Sequence, residues 1–465
     1  MTKQTTQVRA DTTGKPTTAC SIAACPITAW LGLLYAASIA TLMVSTSALW
    51  WSAAGRTFPL IPLFERFCDW PLWVDQLSTI GVGVGLALVA TSSAAKLGSA
   101  ASIEKATRLE GIGWRTGWLL AGLCAALLVC LDQQRLQPWF YQLFLTSIVF
   151  ATCDRTSTLK LIRALVISVY FYSAVGKFDY QFVNSVAPDF LRTLMSWIGQ
   201  DWNALDDNQK FWCAVCLPTL ELVLATALCV SWAIYVPLRR LACVAAIAFH
   251  IGLALLFSTV GLGHSLGVVL WNIQFAIQAW LLFGRWPEHT NQSHRIRPTN
   301  WLATAVIAAA VFMPLGERFG RWDHWPSWAL YAPHSSRAEI YVASDSLGRL
   351  PSILGELVEA ELADDGRADD VVTLWYRLPI KEWCLAETGA PIYPQDRLGV
   401  GVGNYLRDVL GGYSIRVDLL GVAGRFDGQR PKLERVLRPE DFVALNKRFY
   451  LNTQPRRKPE SSDAS

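Results

Sequence analysis

The chain has 465 residues, 52% of them hydrophobic and 17% charged, with 21 tryptophans and a formal net charge of +4. Charged residues supply about a quarter of an ordinary soluble domain, so this composition excludes one and indicates a polytopic membrane protein. The small net charge, with no basic block interleaved with aromatics, argues against nucleic acid as a partner.

The amino end, residues 1–26, is polar and rich in threonine, and lacks the compact apolar core of a cleavable signal directly after its charges. A disordered cytoplasmic tail is expected there. Apolar runs long enough to cross a bilayer follow near 27–50, 76–95, 114–131, 138–153, 158–177, 211–233, 239–260, 264–284 and 300–315. They predict an all-α polytopic bundle of about nine transmembrane helices over residues 27–316. The fourth run is the shortest, squeezed between Arg135 and Pro138 at its start and Asp154 at its end. GVGVG at 81–85 falls inside the second run, where glycines permit close helix packing.

Basic residues give an independent check on that count, because short cytoplasmic loops retain lysine and arginine. Lys3, Arg9 and Lys15 precede the first run. Lys96, Lys105, Arg108 and Arg115 surround the second loop; Arg155, Lys160 and Arg163 the fourth; Arg239 and Arg240 the sixth; Arg285, Arg295 and Arg297 the eighth. All five groups fall on one side. The opposite loops carry fewer, and the one at 178–210 is dominated by Asp179, Asp189, Asp201, Asp206 and Asp207. This pattern predicts a multi-pass protein of the cell inner membrane, with the amino end in the cytoplasm and the carboxyl end outside.

Charges return after the ninth run at Glu317, Arg318 and Arg321, followed by the Trp-rich RWDHWPSWALYAP, which suits an interfacial belt. Residues 317–452 are expected to form a small α+β extracytoplasmic domain of roughly 130 residues, large enough to bury its own core. EIYVA at 339, VVTLWYRL at 371 and SIRVDLLGV at 414 predict strands; 394–410 and 439–451 predict helices, the second opened by a proline and early acids. Residues 453–465 are polar and expected to be disordered.

Against this layout, several polar residues fall near the outer ends of the spans. Lys177 and Asp179 end the fifth run; Asp132, Gln133, Arg135, Gln137 and Tyr141 occupy the turn before the fourth; Glu221 lies inside the sixth, His250 inside the seventh, and Asn272 and Gln274 inside the eighth. A lysine in a last helical turn also suits the macrodipole and can snorkel to headgroups. Asp132 and Arg135 equally suit an interfacial ion pair, and His250 a hydrogen-bonded core residue. Glu221 is harder to explain away, since a carboxylate inside a span must be paired or protonated. Together they suggest a polar cavity opening outward. No pair among the six histidines stands at a credible ligand spacing from a cysteine or carboxylate, so no metal is expected. Cys213 and Cys216 form a C-x-x-C at a helix start, readable as exchanging thiols or as small packing residues. The remaining cysteines are scattered, mostly in apolar runs, and make no disulfide framework.

YFYSAVGKFDYQFV at 170–183 resembles the lysine segment of the vitamin K-dependent γ-carboxylases and their bacterial relatives, the horizontally transferred transmembrane (HTTM) domain proteins. FHIGLALLFSTVGLG at 249–263 is similar to the family's histidine-and-phenylalanine span, and Asp132 and Tyr141 match more loosely. The resemblance covers about residues 27–290. It implies Lys177 as a general base that deprotonates a reduced quinone, whose reaction with oxygen yields the strong base that attacks a glutamate. It further implies His250 and Asp132 as catalytic support, and Tyr141, Asp179 and Glu221 at the cofactor. Such an amine must spend time neutral, which a desolvated pocket favours and an opposing Asp179 would resist. Where the carboxylases place a histidine in the outer turn, this chain has Trp139. The candidate functions are a quinone-linked carboxylase or oxygenase, a DoxX-like thiol or quinone redox protein using Cys213 and Cys216, and a non-catalytic membrane scaffold. Expected partners are the lipid bilayer and an extracytoplasmic quinone or protein substrate.

Overall fold

A computed structural model describes residues 27–51, 56–98, 106–233, 237–284, 301–364, 375–411 and 414–457. The tail at 1–26, Lys105 and the basic residues at 285–297 lie outside the described residues. Helices α1 (Ile27–Ser45), α2 (Ser47–Trp50), α3 (Trp73–Gly98), α4 (Ala106–Leu131), α5 (Pro138–Thr152), α6 (Arg155–Lys177), α7 (Ala187–Trp197), α8 (Asp207–Ala233), α9 (Leu238–Phe257), α10 (Leu266–Phe283) and α11 (Trp301–Phe312) build the bundle. Eight helices among the described residues are long and apolar enough to cross a membrane. Leu77, Ile80 and Val84 on α3 and Leu241, Val244, Ile251 and Leu255 on α9 are exposed. Exposed apolar stripes of this kind are stable only against lipid, and the chain is a multi-pass membrane protein.

The helix at the expected fourth span, α5, has 15 residues, or about 22 Å at 1.5 Å per residue, short of a hydrocarbon core of about 30 Å. None of its residues is exposed, so protein rather than lipid surrounds it. It runs antiparallel to α4: Trp118 stacks on Phe150 at 4.7 Å, and one turn on, a side chain at Gly122 would strike Ser147. The glycines at 81–85 act as expected. A Cβ on Gly85 would lie 2.7 Å from the Gly117 carbonyl of α4, and one on Gly81 would meet Cys124, while Gly83 faces open space.

Beyond the bundle, an antiparallel sheet of β1 (Arg337–Ala343), β2 (Trp375–Arg377), β3 (Ile415–Leu420) and β4 (Lys432–Val436) has the order β2-β1-β3-β4. Strand β1 alternates as a half-buried strand must, with Ala338, Ile340 and Val342 turned inward. Helix α14 (Asp396–Leu410) covers this face. Its glycines let it lie close: a Cβ on Gly403 would sit 2.7 Å from Val417, and one on Gly401 would meet Ile61 on the other side. Helices α12 (Ser352–Asp364), α13 (Ile380–Thr388) and α15 (Pro439–Asn446) complete the unit. Sequence reasoning missed β4, α12 and α13. Phe58, from the loop between the first two spans, also sits in the core of this unit, against Trp383 at 4.9 Å.

That loop and the turn at 132–137 dock the sheet domain onto the bundle. Asp132, Gln133, Gln134 and Arg135 are fully buried. Arg135 pairs with Asp75 at the start of α3, and Arg456 Nη1 reaches the other oxygen of Asp75 at 2.7 Å. Gln133 donates to the carbonyls of Pro62 and Asn452 and accepts from Arg397 Nε at 2.6 Å; Gln134 donates to the Pro391 carbonyl and accepts from the Tyr393 amide. Residues 453–457, expected as part of a disordered tail, are instead held here, with Thr453 and Arg456 buried. Removing one member of a buried ion pair costs on the order of 3–5 kcal/mol. Arg135→Ala is expected to loosen this dock by that amount, seen as earlier protease cleavage between 320 and 460 and a lower unfolding midpoint in detergent; unchanged cleavage would count against the dock.

Candidate functional site

Helix α6 carries Tyr170, Ser173 and Lys177 at spacings of three and four, which stack on one face of a helix. This face looks into a cavity of about 800 Å³ bounded by α6, α8, α9 and α10. Aromatic rings, among them Phe182, Phe190, Phe257, Trp271 and Phe275, share its wall with aliphatic side chains. The amphipathic helix α7 contributes Phe190 and Leu194, the neck after α11 contributes Leu330 and Tyr331, and the end of α13 contributes Leu385 and Gly389–Pro391. The sheet domain thus forms part of the cavity wall.

Two polar clusters break the apolar lining. In the first, Lys177 Nζ donates to Glu221 Oε2 at 2.6 Å and to Ser173 Oγ at 2.7 Å. Both partners leave one of three ammonium hydrogens unspent. In the second, His250 Nδ1 lies 2.9 Å from Asn272 Oδ1, and Nε2 lies 2.6 Å from the Tyr170 hydroxyl. Because the Asn272 amide nitrogen donates to the Val268 carbonyl, its oxygen faces the ring, so Nδ1 carries the proton. Nε2 then accepts from Tyr170, whose oxygen keeps free lone pairs for a ligand. Phe275 stacks on the imidazole at 4.9 Å and fixes its plane. His264, in the loop above α9, lines the cavity and is held below the ordinary imidazole range by burial, hence neutral at pH 7.

The structure therefore brings Lys177, Glu221 and His250 around one cavity. It does not bring Asp132, Tyr141 and Asp179 there. Asp132 caps the turn through the Gln134 amide and faces Arg56 at 3.5 Å. Tyr141 packs on Trp328 at 5.1 Å, and Asp179 turns away from Lys177 to pair with Arg318. The charge opposing Lys177 is Glu221, delivered from α8. Trp139 lines the cavity beside Gln137. Gln274 joins Gln142 in a separate buried amide cluster. Cys213 and Cys216 are free thiols outside the cavity lining, Cys216 exposed. Sequence reasoning did not single out Tyr170 and Ser173; their heptad-like spacing from Lys177 was the available signal.

No protein-family model, curated protein or solved structure matches the chain. Function must be read from the cavity itself. Truncating His250 leaves the Tyr170 hydroxyl and Asn272 Oδ1 without the partner that each has on the ring, at about 1–3 kcal/mol. His250→Ala is expected to lower thermal stability accordingly, and His250→Gln to recover part of the loss; equal stability of all three proteins would refute this network.

Proposed function

We propose that the chain is a membrane enzyme that takes a reduced quinone-like lipid into this cavity and uses Lys177 as general base, a quinone-linked carboxylase or oxygenase related to the vitamin K-dependent γ-carboxylases and HTTM proteins. The observation that carries this reading is Lys177 itself, hydrogen-bonded to Glu221 and Ser173 on the wall of an aromatic cavity between spans. A volume of about 800 Å³ lies in the range of small-molecule sites and suits a fused aromatic head with the start of a tail. The resemblance of residues 170–183 and 249–263 to the family's patterns supports the same reading.

The chemistry follows from the dyad. Lys177 and Glu221 share one short hydrogen bond, so the carboxylate is placed to receive the proton of the amine. Over 2.6 Å a proton passes between the two without other movement. With the proton on Glu221, Lys177 is a free base that takes the phenolic proton of a hydroquinone, and the resulting ammonium stabilises the phenolate. On the facing cluster, Tyr170 accepts a hydrogen bond from the second hydroxyl, while His250 and Asn272 hold Tyr170 in place.

In this reading α5 crosses as a ninth span shielded inside the bundle, which its antiparallel packing on α4 supports. The amino end then faces the cytoplasm of a cell with an inner membrane, and the sheet domain stands outside, where a protein substrate would reach it. The test is turnover of a reduced naphthoquinone under oxygen by the chain in lipid nanodiscs. Lys177→Ala and Glu221→Gln are expected to lower the rate by about 100-fold or more, the scale of general base catalysis. Equal rates for Lys177→Ala and the natural chain would remove the mechanism.

A further inference from the structure

A second convergence of side chains lies in the neck between the bundle and the sheet. Glu317 belongs to the 3-10 segment Met313–Phe319 that continues α11. His324 and His334 bracket the loop that follows. His324 Nδ1 lies 2.7 Å from Glu317 Oε1, and His334 Nε2 lies 3.1 and 3.0 Å from the two carboxylate oxygens. The three side chains are 10, 4 and 1% exposed, and their donor atoms all fall within 4.8 Å of one another.

We propose that Glu317, His324 and His334 form a metal centre for one divalent first-row transition ion, with zinc the best fit to the donor set. Two imidazole nitrogens and one carboxylate are the protein ligands of known three-ligand zinc sites, which keep a further position for water. Ligands about 2.0–2.1 Å from a shared ion stand about 3 Å apart; each imidazole nitrogen lies 2.7–3.1 Å from the carboxylate, and the whole donor set falls within 4.8 Å. Charge points the same way. Among the described residues, the ion-pair partners of Glu317 are these two histidines, while the adjacent Arg318 is turned to Asp179. A carboxylate this deeply buried needs a positive partner, and a divalent ion supplies it.

The place of the centre gives it a task. Between its two histidines, Trp328 and Tyr331 both hold a φ of 57°, a left-handed conformation costly for aromatic residues and kept only where the surroundings enforce it. This loop carries Leu330 and Tyr331 into the roof of the cavity. At its far end the His334 carbonyl accepts from the Ala423 amide, next to β3. An ion at the three ligands clamps the loop ends together, fixing the cavity roof and the root of the sheet at once. The proposal does not depend on the reaction assigned to Lys177.

The test is metal analysis of the full chain, purified in detergent without chelator and again after incubation with zinc and gel filtration. The expected result is about one ion per chain, a melting temperature that falls on chelation and returns with zinc, and visible ligand-field bands after cobalt(II) replacement. Glu317→Gln and His324→Ala are each expected to reduce bound metal at least about tenfold. Less than about a tenth of an ion per chain after zinc, manganese or iron(II) incubation, with an unchanged melting temperature, would overturn the proposal and leave a hydrogen-bonded carboxylate–imidazole cluster. Should the variants fail to fold, metal content and chelation of the natural chain decide alone.

Discussion

The whole arrangement depends on one buried carboxylate, Asp75, held between two arginines that come from distant parts of the chain. Arg135 approaches it from the turn between α4 and α5, and Arg456 from the end of the polypeptide. Neither arginine is exposed enough to find water instead. Each therefore depends on the others, and through them the first turn of α3, the 132–137 turn and the last described residues occupy one fixed place. Around this centre the amides of Gln133, Gln134 and Gln137 saturate carbonyls of both the bundle and the sheet domain. A polar dock of this sort tolerates little sliding, since each displaced partner would be left unsatisfied away from water.

Rigidity at the dock is what makes the cavity a defined space. Its inner wall is a face of α6 and its neighbours, but part of its outer wall is the end of α13, a segment that Gln134 and Gln137 hold to the bundle through the Pro391 carbonyl. Lys177, the last residue of α6, meets Glu221 from the interior of α8, and His250 is pinned on both ring nitrogens. Polar atoms in an apolar chamber are thus placed before any ligand arrives, which is how a site avoids reorganisation during reaction.

Much of this was legible in the sequence. Bilayer-length apolar runs gave the helices, and the cost of a charge in hydrocarbon singled out Lys177, Glu221 and His250, which do share a cavity. Legibility ended where the explanation for a polar residue was a partner far along the chain. Asp132 and Arg135 look like site residues because they are polar at a membrane edge, yet their partners are Arg56, Asp75 and the sheet domain, which no local pattern reveals. Asp179 sits two residues from Lys177 but faces Arg318, because the helix ends between them and the chain changes direction. Strand β4 was missed since KLERV is half polar and has one buried residue. Glu317, His324 and His334 have no recognisable ligand spacing; a loop with two left-handed residues folds them together.

The position of Phe58 has a consequence for biogenesis. The sheet domain closes its core around a side chain made before most of the bundle, whereas its own strands emerge from the ribosome only after every helix of the bundle has been synthesised. Until then the loop carrying Phe58 must wait with its apolar ring unsatisfied. Excised by itself, the carboxyl-terminal segment would lack that ring and carry an open groove along α13, so the protein matures as a single unit rather than as a membrane anchor with an independent head.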